Sequence, residues 1–327
     1  MSDLQHNLAD LSPERRRLLD LLLRQKAQSD PAQILSLPRA SGTNTFPLSF
    51  AQQRLWFIDQ LQPGISAYNI AVGMRLHGPL DVATLNRALN QLVERHETLR
   101  TTFVLQENQP VQAIAPQLTI PLPLVDLSAQ PAAKREAAAL GAVAETADQP
   151  FDLERGPLFR ATLFRLADDR HMVLLTMHHI IADGWSTGVL LREIAALYRS
   201  NIAGQPQALP ALAIQYADFA QWQRRWLAPG SPRLASQIDY WRTQLADVSK
   251  LLLPTDHPRT AEQKMTSARE NHMLQRELTA ALHSLSQREG ATLFQTLLTA
   301  FQVLLARYTG QSDIAVGSGI ANRNRAE

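Results

Sequence analysis

Two adjacent histidines, His178 and His179, stand near the end of an apolar run and are followed by Asp183 and Gly184. Neighbouring side chains of a strand point to opposite faces, so the two imidazoles are expected in different environments. His179 lies one step past the last member of an apolar row. An imidazole that is partly desolvated there can be neutral at pH 7 and accept a proton.

The residues after the histidines also suggest a site. Asp183 can orient an imidazole, or it can fix the turn by pairing with an arginine elsewhere in the chain. Gly184 lets a ligand or a backbone approach closely, and Trp185 would form a wall of the opening. The alternative is a strand that ends in polar residues with an ordinary Asp-Gly turn. The residues alone leave both interpretations open.

Other kinds of catalytic site are disfavoured by the sequence. The chain has no cysteine, which excludes thiolate metal sites and cysteine nucleophiles. Adjacent histidines on a strand point apart and no third ligand is near in sequence, so we predict no metal site. A Gly-x-Ser-x-Gly elbow, a Walker loop and a dinucleotide fingerprint are all missing. The expected chemistry is proton transfer or positioning, without a covalent intermediate or a bound cofactor.

Composition limits the class of protein. The 327 residues are 45% hydrophobic, enough for a large core and more than one domain. The net charge is +2 without a large basic patch, which argues against a nucleic-acid partner. No apolar run approaches the ~20 residues of a membrane span. The polar N-terminus lacks a signal-peptide core, so a soluble cytoplasmic protein is expected.

Helical and extended patterns alternate along the chain. Helices are predicted over 12–27, 49–61, from Asp81 onward, over 131–147, after Gly184, and over 214–227, 232–246, 277–288 and 292–308. Strands are predicted over 67–78 and 99–105, in a hairpin of 158–166 with 171–181, and from residue 313. The alternation gives an α/β or α+β class of two layers.

Several motifs, in a fixed order, resemble the condensation domains of nonribosomal peptide synthetases. The stretch `HHIIADG` (178–184) is similar to the family's HHxxxDG motif. The other similar stretches are `LSFAQQRLWFIDQL` (48–61), `RHETLRTTF` (95–103), `FDLERGPLFRA` (151–161), `YADFAQWQ` (216–223) and `VGSGIANRNRAE` (316–327). The resemblance covers residues 47–327 and implies a chloramphenicol-acetyltransferase-like fold with two lobes in a V.

The resemblance also implies an activity and partners. Family members transfer an acyl or peptidyl thioester onto the amine of an aminoacyl thioester, through a tetrahedral intermediate. Both substrates arrive on phosphopantetheine arms of donor and acceptor peptidyl carrier proteins. An adenylation domain or an upstream synthase is then a further expected partner. The stretches `RLWFIDQL` and `DGWS` resemble the corresponding motifs of domains that accept an L-configured donor residue.

Residue roles follow by position from the same resemblance. His179 matches the key histidine, as a general base or as a group that positions the amine, and His178 matches a structural histidine. Asp183 matches a residue that holds the loop through an arginine, for which Arg323 is the candidate, and Gly184 lies where the donor arm passes. Further framework residues are expected at Arg54, Arg100, Trp185, Ser186 and Asn322.

The chain departs from the family at its end. Gly319 stands where the fifth motif usually has proline, and the sequence stops within that motif. The predicted parts are therefore a helical linker or docking segment (1–35), a linker (36–46), a first lobe (47–205) and an incomplete second lobe (206–327). A fragment of a longer synthetase and a truncated product both fit. The alternative function is a non-catalytic remnant or a carrier-binding module.

Overall fold

The computed structural model describes residues 33–205, 209–256 and 270–320. The described chain divides into two compact units between Arg233 and Leu234. The sequence placed its lobe boundary earlier, between residues 205 and 206, and its assignment of lobes remains a prediction. The predicted helix over 12–27 lies outside the described residues.

The first unit contains a four-stranded mixed sheet. Its strands are β2 (Asn69–His77), β5 (Leu124–Asp126), β6 (Phe159–Ala167) and β7 (Arg170–His178), in the order β2-β7-β6-β5. β7 pairs antiparallel with β2 and with β6, and β5 runs parallel to β6. The hairpin predicted from residues 158–181 is confirmed, although its second strand ends at His178 rather than at 181.

Alternate residues of β7 enter two separate apolar clusters, as strand periodicity requires. Val173, Leu175 and Met177 belong to the main core of the unit. Met172 and Leu174 belong to a smaller cluster on the other face. The strand before the double histidine is therefore buried on both sides, which fixes where it ends.

A second sheet has three strands, β1 (Asn44–Pro47), β3 (Thr101–Gln106) and β4 (Gln109–Ile114), in the order β1-β4-β3. β3 begins two residues after the predicted strand, because Glu97–Arg100 form a 3-10 turn. β1 begins within the segment expected to be a linker and ends one residue beyond it. Just upstream of it, Arg39 donates to both oxygens of Glu97, at 2.9 and 2.8 Å, and to Asp218 at 3.0 Å. The expectation of a linker is therefore wrong for this segment.

Five helices complete the first unit or lead out of its sheets. They are α1 (Phe50–Leu61), α2 (Val82–Arg95), α3 (Ala132–Ala147), α4 (Gly184–Ile202) and α5 (Tyr216–Trp226). α1, α3 and α5 match predicted helices within two residues at both ends, and α2 and α4 begin where helices were predicted to start. α2 and α4 contribute Leu89, Leu92 and Leu197 to the main core, and Ala139 of α3 lies in the smaller cluster. The sheet thus has helices on both faces, which confirms the mixed α/β class but gives three layers there instead of the expected two.

The second unit is helical where it is described. Its helices are α6 (Pro232–Gln244), which begins just before the division, α7 (Arg276–Arg288) and α8 (Leu293–Thr309). Thr292 caps α8 in a capping box, and Gly310 ends it with φ 70°. The strand expected from residue 313 is wrong over 313–320, which have no regular structure. A strand needs a neighbour for its backbone hydrogen bonds, and none pairs with this segment within the described ranges.

Every helix of the described residues is too short or too polar to cross a bilayer.

Candidate active site

The double histidine lies on a turn that is held by the starts of two neighbouring strands. The His178 N–H donates to the carbonyl of Leu158, just before β6, at 3.0 Å. The His179 N–H donates to the carbonyl of Tyr68, just before β2, at 2.8 Å. Both bonds are made by backbone atoms at the end of β7, which lies between β2 and β6. The sheet therefore fixes the direction in which the two imidazoles leave the chain.

His178 is buried and holds the turn. Its side chain lies near the Tyr68 and Phe151 rings, with centroids 6.3 and 6.4 Å away. Its Nδ1 accepts a hydrogen bond from the Ile180 N–H at 3.1 Å. Burial, and to a smaller degree the neighbouring His179, lower the His178 pKa to about 4. The imidazole is therefore neutral at physiological pH and acts as an acceptor for the backbone.

His179 differs from His178 in the way that the alternation predicts. It is exposed, whereas His178 is 3% exposed. β7 ends at His178, so the His179 ring lies past the end of the apolar row. Its ring is thus open to an incoming molecule. His178 is therefore the structural histidine of the pair, and His179 is the accessible one.

Asp183 begins α4 and acts as its N-cap. Its carboxylate accepts the Ser186 N–H at 2.7 Å and the Ser186 hydroxyl at 2.5 Å. These bonds give Asp183 and Ser186 one shared task, which is to start the helix next to the double histidine. Asn322 and Arg323, the latter expected to pair with Asp183, lie outside the described residues.

Gly184 and Trp185 flank this helix start on the open side. Apart from its chain neighbours and the backbone of its own helix, no described atom lies within 4 Å of the position that a Cβ of Gly184 would take. Trp185 is 63% exposed, and its role as a wall of an opening stays a prediction. The turn is therefore approachable from the side that these two residues face.

The two framework arginines have different surroundings. Arg100 donates through Nη1 to the carbonyl of Ala115 and lies 4.0 Å from Glu97. It ties the start of β3 to the end of β4. Arg54 is exposed on α1. The structure thus brings together His178, His179, Asp183, Gly184, Trp185 and Ser186, and it does not join either arginine to them.

A buried glutamine on α1 also reaches the turn. Gln52 donates through Nε2 to Gln112 at 3.0 Å and to the Ile180 carbonyl at 3.5 Å. The spacing of Ser49 and Gln52 is that of a capping box, which predicts a helix start. It carries no information about contacts to residues 60 and 128 positions away. Sequence reasoning therefore missed Gln52 and Gln112.

This arrangement can place an accessible imidazole beside a bound substrate and keep it there. Within the described residues, no three His, Asp or Glu side chains group closely enough to hold a metal ion. The chemistry that these side chains offer is hydrogen bonding and proton transfer by His179, on a turn made rigid by its neighbours.

Comparison with known proteins agrees with this geometry. The Condensation domain family matches residues 43–327. One of the polypeptides of linear gramicidin synthase from Brevibacillus parabrevis is 50% identical over 86% of this chain. Phosphinothricin tripeptide synthetase PhsC from Streptomyces viridochromogenes is 44% identical over all of it. The chain spans only 4% and 30% of these two relatives.

Solved structures show the same fold. The structure described as a complex of the X-domain and OxyB from teicoplanin biosynthesis matches with a TM-score of 0.71 and 31% identity, over 84% of this chain and 59% of that one. This likeness confirms the chloramphenicol-acetyltransferase-like class that the motifs implied. With the family match over most of its length, this chain belongs to the condensation domain family.

Proposed function

We propose that this chain forms peptide bonds in nonribosomal peptide synthesis. It would transfer an acyl or peptidyl group, with an L-configured last residue, onto the amine of an aminoacyl acceptor. Two findings support the proposal: membership of the condensation domain family, and the names of relatives that are a gramicidin synthase and a tripeptide synthetase. The observation that carries it is His179, exposed on a turn that three structural elements hold.

The proposed reaction is a direct acyl transfer. The acceptor amine attacks the carbonyl carbon of the donor thioester, so a C–N bond forms while the carbonyl oxygen takes up negative charge. Collapse of the tetrahedral intermediate breaks the C–S bond and releases the donor arm as its thiol. The amine loses one proton, and the thiol gains one, so the step is balanced without an oxidant or a reductant.

His179 serves this reaction in one of two ways. As a general base, it takes the proton of the attacking amine and passes it toward the leaving sulfur. As a positioning group, it accepts a hydrogen bond from the amine and aligns the nitrogen with the carbonyl. Both roles need an accessible imidazole with a fixed backbone, and the contacts of His178 and Tyr68 supply the second requirement.

The substrates would come from other proteins or domains. Donor and acceptor peptidyl carrier proteins present them on phosphopantetheine arms, and the open space at Gly184 would receive the donor arm. An adenylation domain or an upstream synthase would load the carriers. We also keep as predictions the cytoplasmic location, the two lobes at residues 47–205 and 206–327, and the pairing of Asp183 with Arg323.

The test is His179→Ala in the complete synthetase that carries this sequence. Because one proton-transfer or positioning group is removed, we expect turnover of loaded carriers to fall by about 100-fold or more. Carrier binding should persist. The matched control is His77→Ala, which removes an exposed imidazole at the far end of β2 and should leave turnover unchanged. Unchanged turnover in His179→Ala would refute the catalytic role.

The second candidate is a non-catalytic module that binds another protein. It is favoured by the solved neighbour that is a complex of the X-domain with OxyB. In that case the protein binds carriers or another enzyme but gives no turnover, whether histidine or alanine occupies position 179. The same pair of assays, binding and turnover, therefore separates the two functions.

A further inference from the structure

We infer that Gln52 is a positioning residue for His179, an inference that rests on the proposed function. Gln52 lies in the first turn of α1 and is 2% exposed, more than 120 residues from the histidine turn in sequence. Its side-chain hydrogen bonds go to Ser49, Gln112 and Ile180. Its effect would be exerted through the backbone that carries His179.

All the polar atoms of the Gln52 amide are used inside the fold. Its Oε1 accepts the Ser49 N–H at 2.9 Å. Its Nε2 donates to Gln112 Oε1 at 3.0 Å and to the carbonyl of Ile180 at 3.5 Å. Gln112, which is 1% exposed, donates in turn to the carbonyl of Pro47 at 2.8 Å. One amide thus joins the start of α1, β4 and the histidine turn.

Ile180, the residue after His179, is hydrogen-bonded through both its backbone N–H and its backbone carbonyl. Its N–H donates to the buried His178 ring, and its carbonyl accepts from Gln52. Ile180 is itself 3% exposed, so its carbonyl needs a partner within the protein. Gln52 is the side chain that supplies a partner from another element.

His179 therefore lies between two fixed points. Its own N–H is bound to the Tyr68 carbonyl, and the next residue is bound by His178 and Gln52. The ring is exposed, so its location depends on this backbone. Because a shift of about 1 Å in a catalytic group can lower a rate by about 100-fold, a loosened turn should slow the reaction rather than weaken binding.

The experiment compares Gln52→Met with Gln60→Met in the complete synthetase. Methionine keeps the length of the side chain and removes the amide. Gln60 is an exposed glutamine near the end of the same helix, so its substitution controls for the change of residue type. We expect Gln52→Met to lower kcat by about tenfold or more, with KM for both carriers nearly unchanged, and Gln60→Met to lower neither.

A second readout separates positioning from general damage. Hydrogen exchange of the peptide spanning 178–183 should become faster in Gln52→Met, while peptides of α3, on the other side of the sheet, exchange as before. If Gln52→Met fails to fold, Gln52→Glu takes its place. Glutamate keeps the acceptor for Ser49 and replaces the donor to Gln112 and Ile180 with an oxygen.

The outcomes separate this inference from the proposed function. If His179→Ala keeps its turnover, the proposed function fails and the positioning role fails with it. Suppose instead that turnover of His179→Ala collapses. Only the positioning role is then overturned if Gln52→Met retains its kcat, or if it loses kcat while hydrogen exchange at 178–183 is unchanged. In the double variant, Gln52→Met should add no loss to that of His179→Ala, and a further loss would contradict action through His179.

Discussion

At the scale of single residues, His178 shows how a buried imidazole stabilises a turn. Its Nδ1 accepts the Ile180 N–H, so the neutral ring carries its proton on Nε2. Protonation of Nδ1 would remove that acceptor and place a charge among apolar side chains. Burial is accordingly the main cause of its pKa of about 4. The turn should therefore depend on pH through this residue.

The dependence has a definite sign. The His178 pKa is lower in the folded protein, about 4, than the ordinary value of 6.5, so the unfolded state binds the proton first as pH falls. Stabilisation by His178 should be fully present above pH 6.5 and be lost by pH 4, a change of about 3 kcal/mol. Hydrogen exchange of β7, corrected for intrinsic rates, measures the free energy of the opening at each pH.

The control for this prediction is His178→Asn, which keeps a side-chain acceptor and does not titrate. His171, which is also buried, and the carboxylates contribute to both proteins and cancel in the difference. Between pH 6.5 and 4 the opening free energy of β7 should fall more steeply in the natural protein than in the variant. Parallel curves would mean that His178 does not carry the pH dependence.

Sequence reasoning at this scale succeeded where the information was local. Alternation along a strand was enough to predict that His178 and His179 differ, and a charged residue four positions on was enough to suggest the turn. Gln52 and Gln112 were beyond its reach, because their contacts join segments that only the folded sheet brings together. The exposure of His179 depends on where β7 ends.

At the scale of elements, only the first strand of the hairpin formed by β3 and β4 was predicted from the sequence. β4 is short, contains Pro110 and lacks a clear alternation, so its pattern did not distinguish it from a loop. The turn between the two strands was not recognisable from the sequence either. Glu107 and Asn108 both have positive φ, 50° and 62°, as in a type I′ turn, but the usual sequence for that turn is Asn-Gly.

This turn offers a stabilising substitution. Glu107→Asn combined with Asn108→Gly places residues that tolerate the left-handed region at both positions, and both side chains are exposed. We expect a gain of about 1 kcal/mol in the free energy of opening of the hairpin. Hydrogen exchange over 101–114 would measure it. Glu107→Gln removes the charge but keeps the strain, so an equal gain in that variant would assign the effect to charge instead.

At the scale of the whole molecule, the first unit is joined by contacts between distant segments. Arg39, in the segment upstream of β1, binds Glu97 after α2 and Asp218 in α5. The Asp218 side chain is fully buried and that of Glu97 is 9% exposed, while Arg39 is 22% exposed. Sequence patterns predicted the helices but described this segment as a linker, because a lone arginine in a Ser- and Pro-rich stretch gives no local signal of its partners.

Arg39→Met should therefore destabilise the first unit strongly, because it removes the cation that binds both buried carboxylates and leaves Glu97 only the longer contact to Arg100. We expect a loss of about 2–3 kcal/mol in the free energy of unfolding, measured with denaturant on the full chain. Arg39→Lys keeps the charge but loses the planar guanidinium group that binds both oxygens of Glu97, and it should cost less stability than Arg39→Met.

Arg75→Met is the matched control, because Arg75 pairs with Glu136 at the surface, where both side chains are more than half exposed. Such an exposed pair contributes less than about 1 kcal/mol. Equal losses at Arg39 and Arg75 would show that burial of the two carboxylates does not set the strength of the interaction, and that the upstream segment is not a fixed part of this unit.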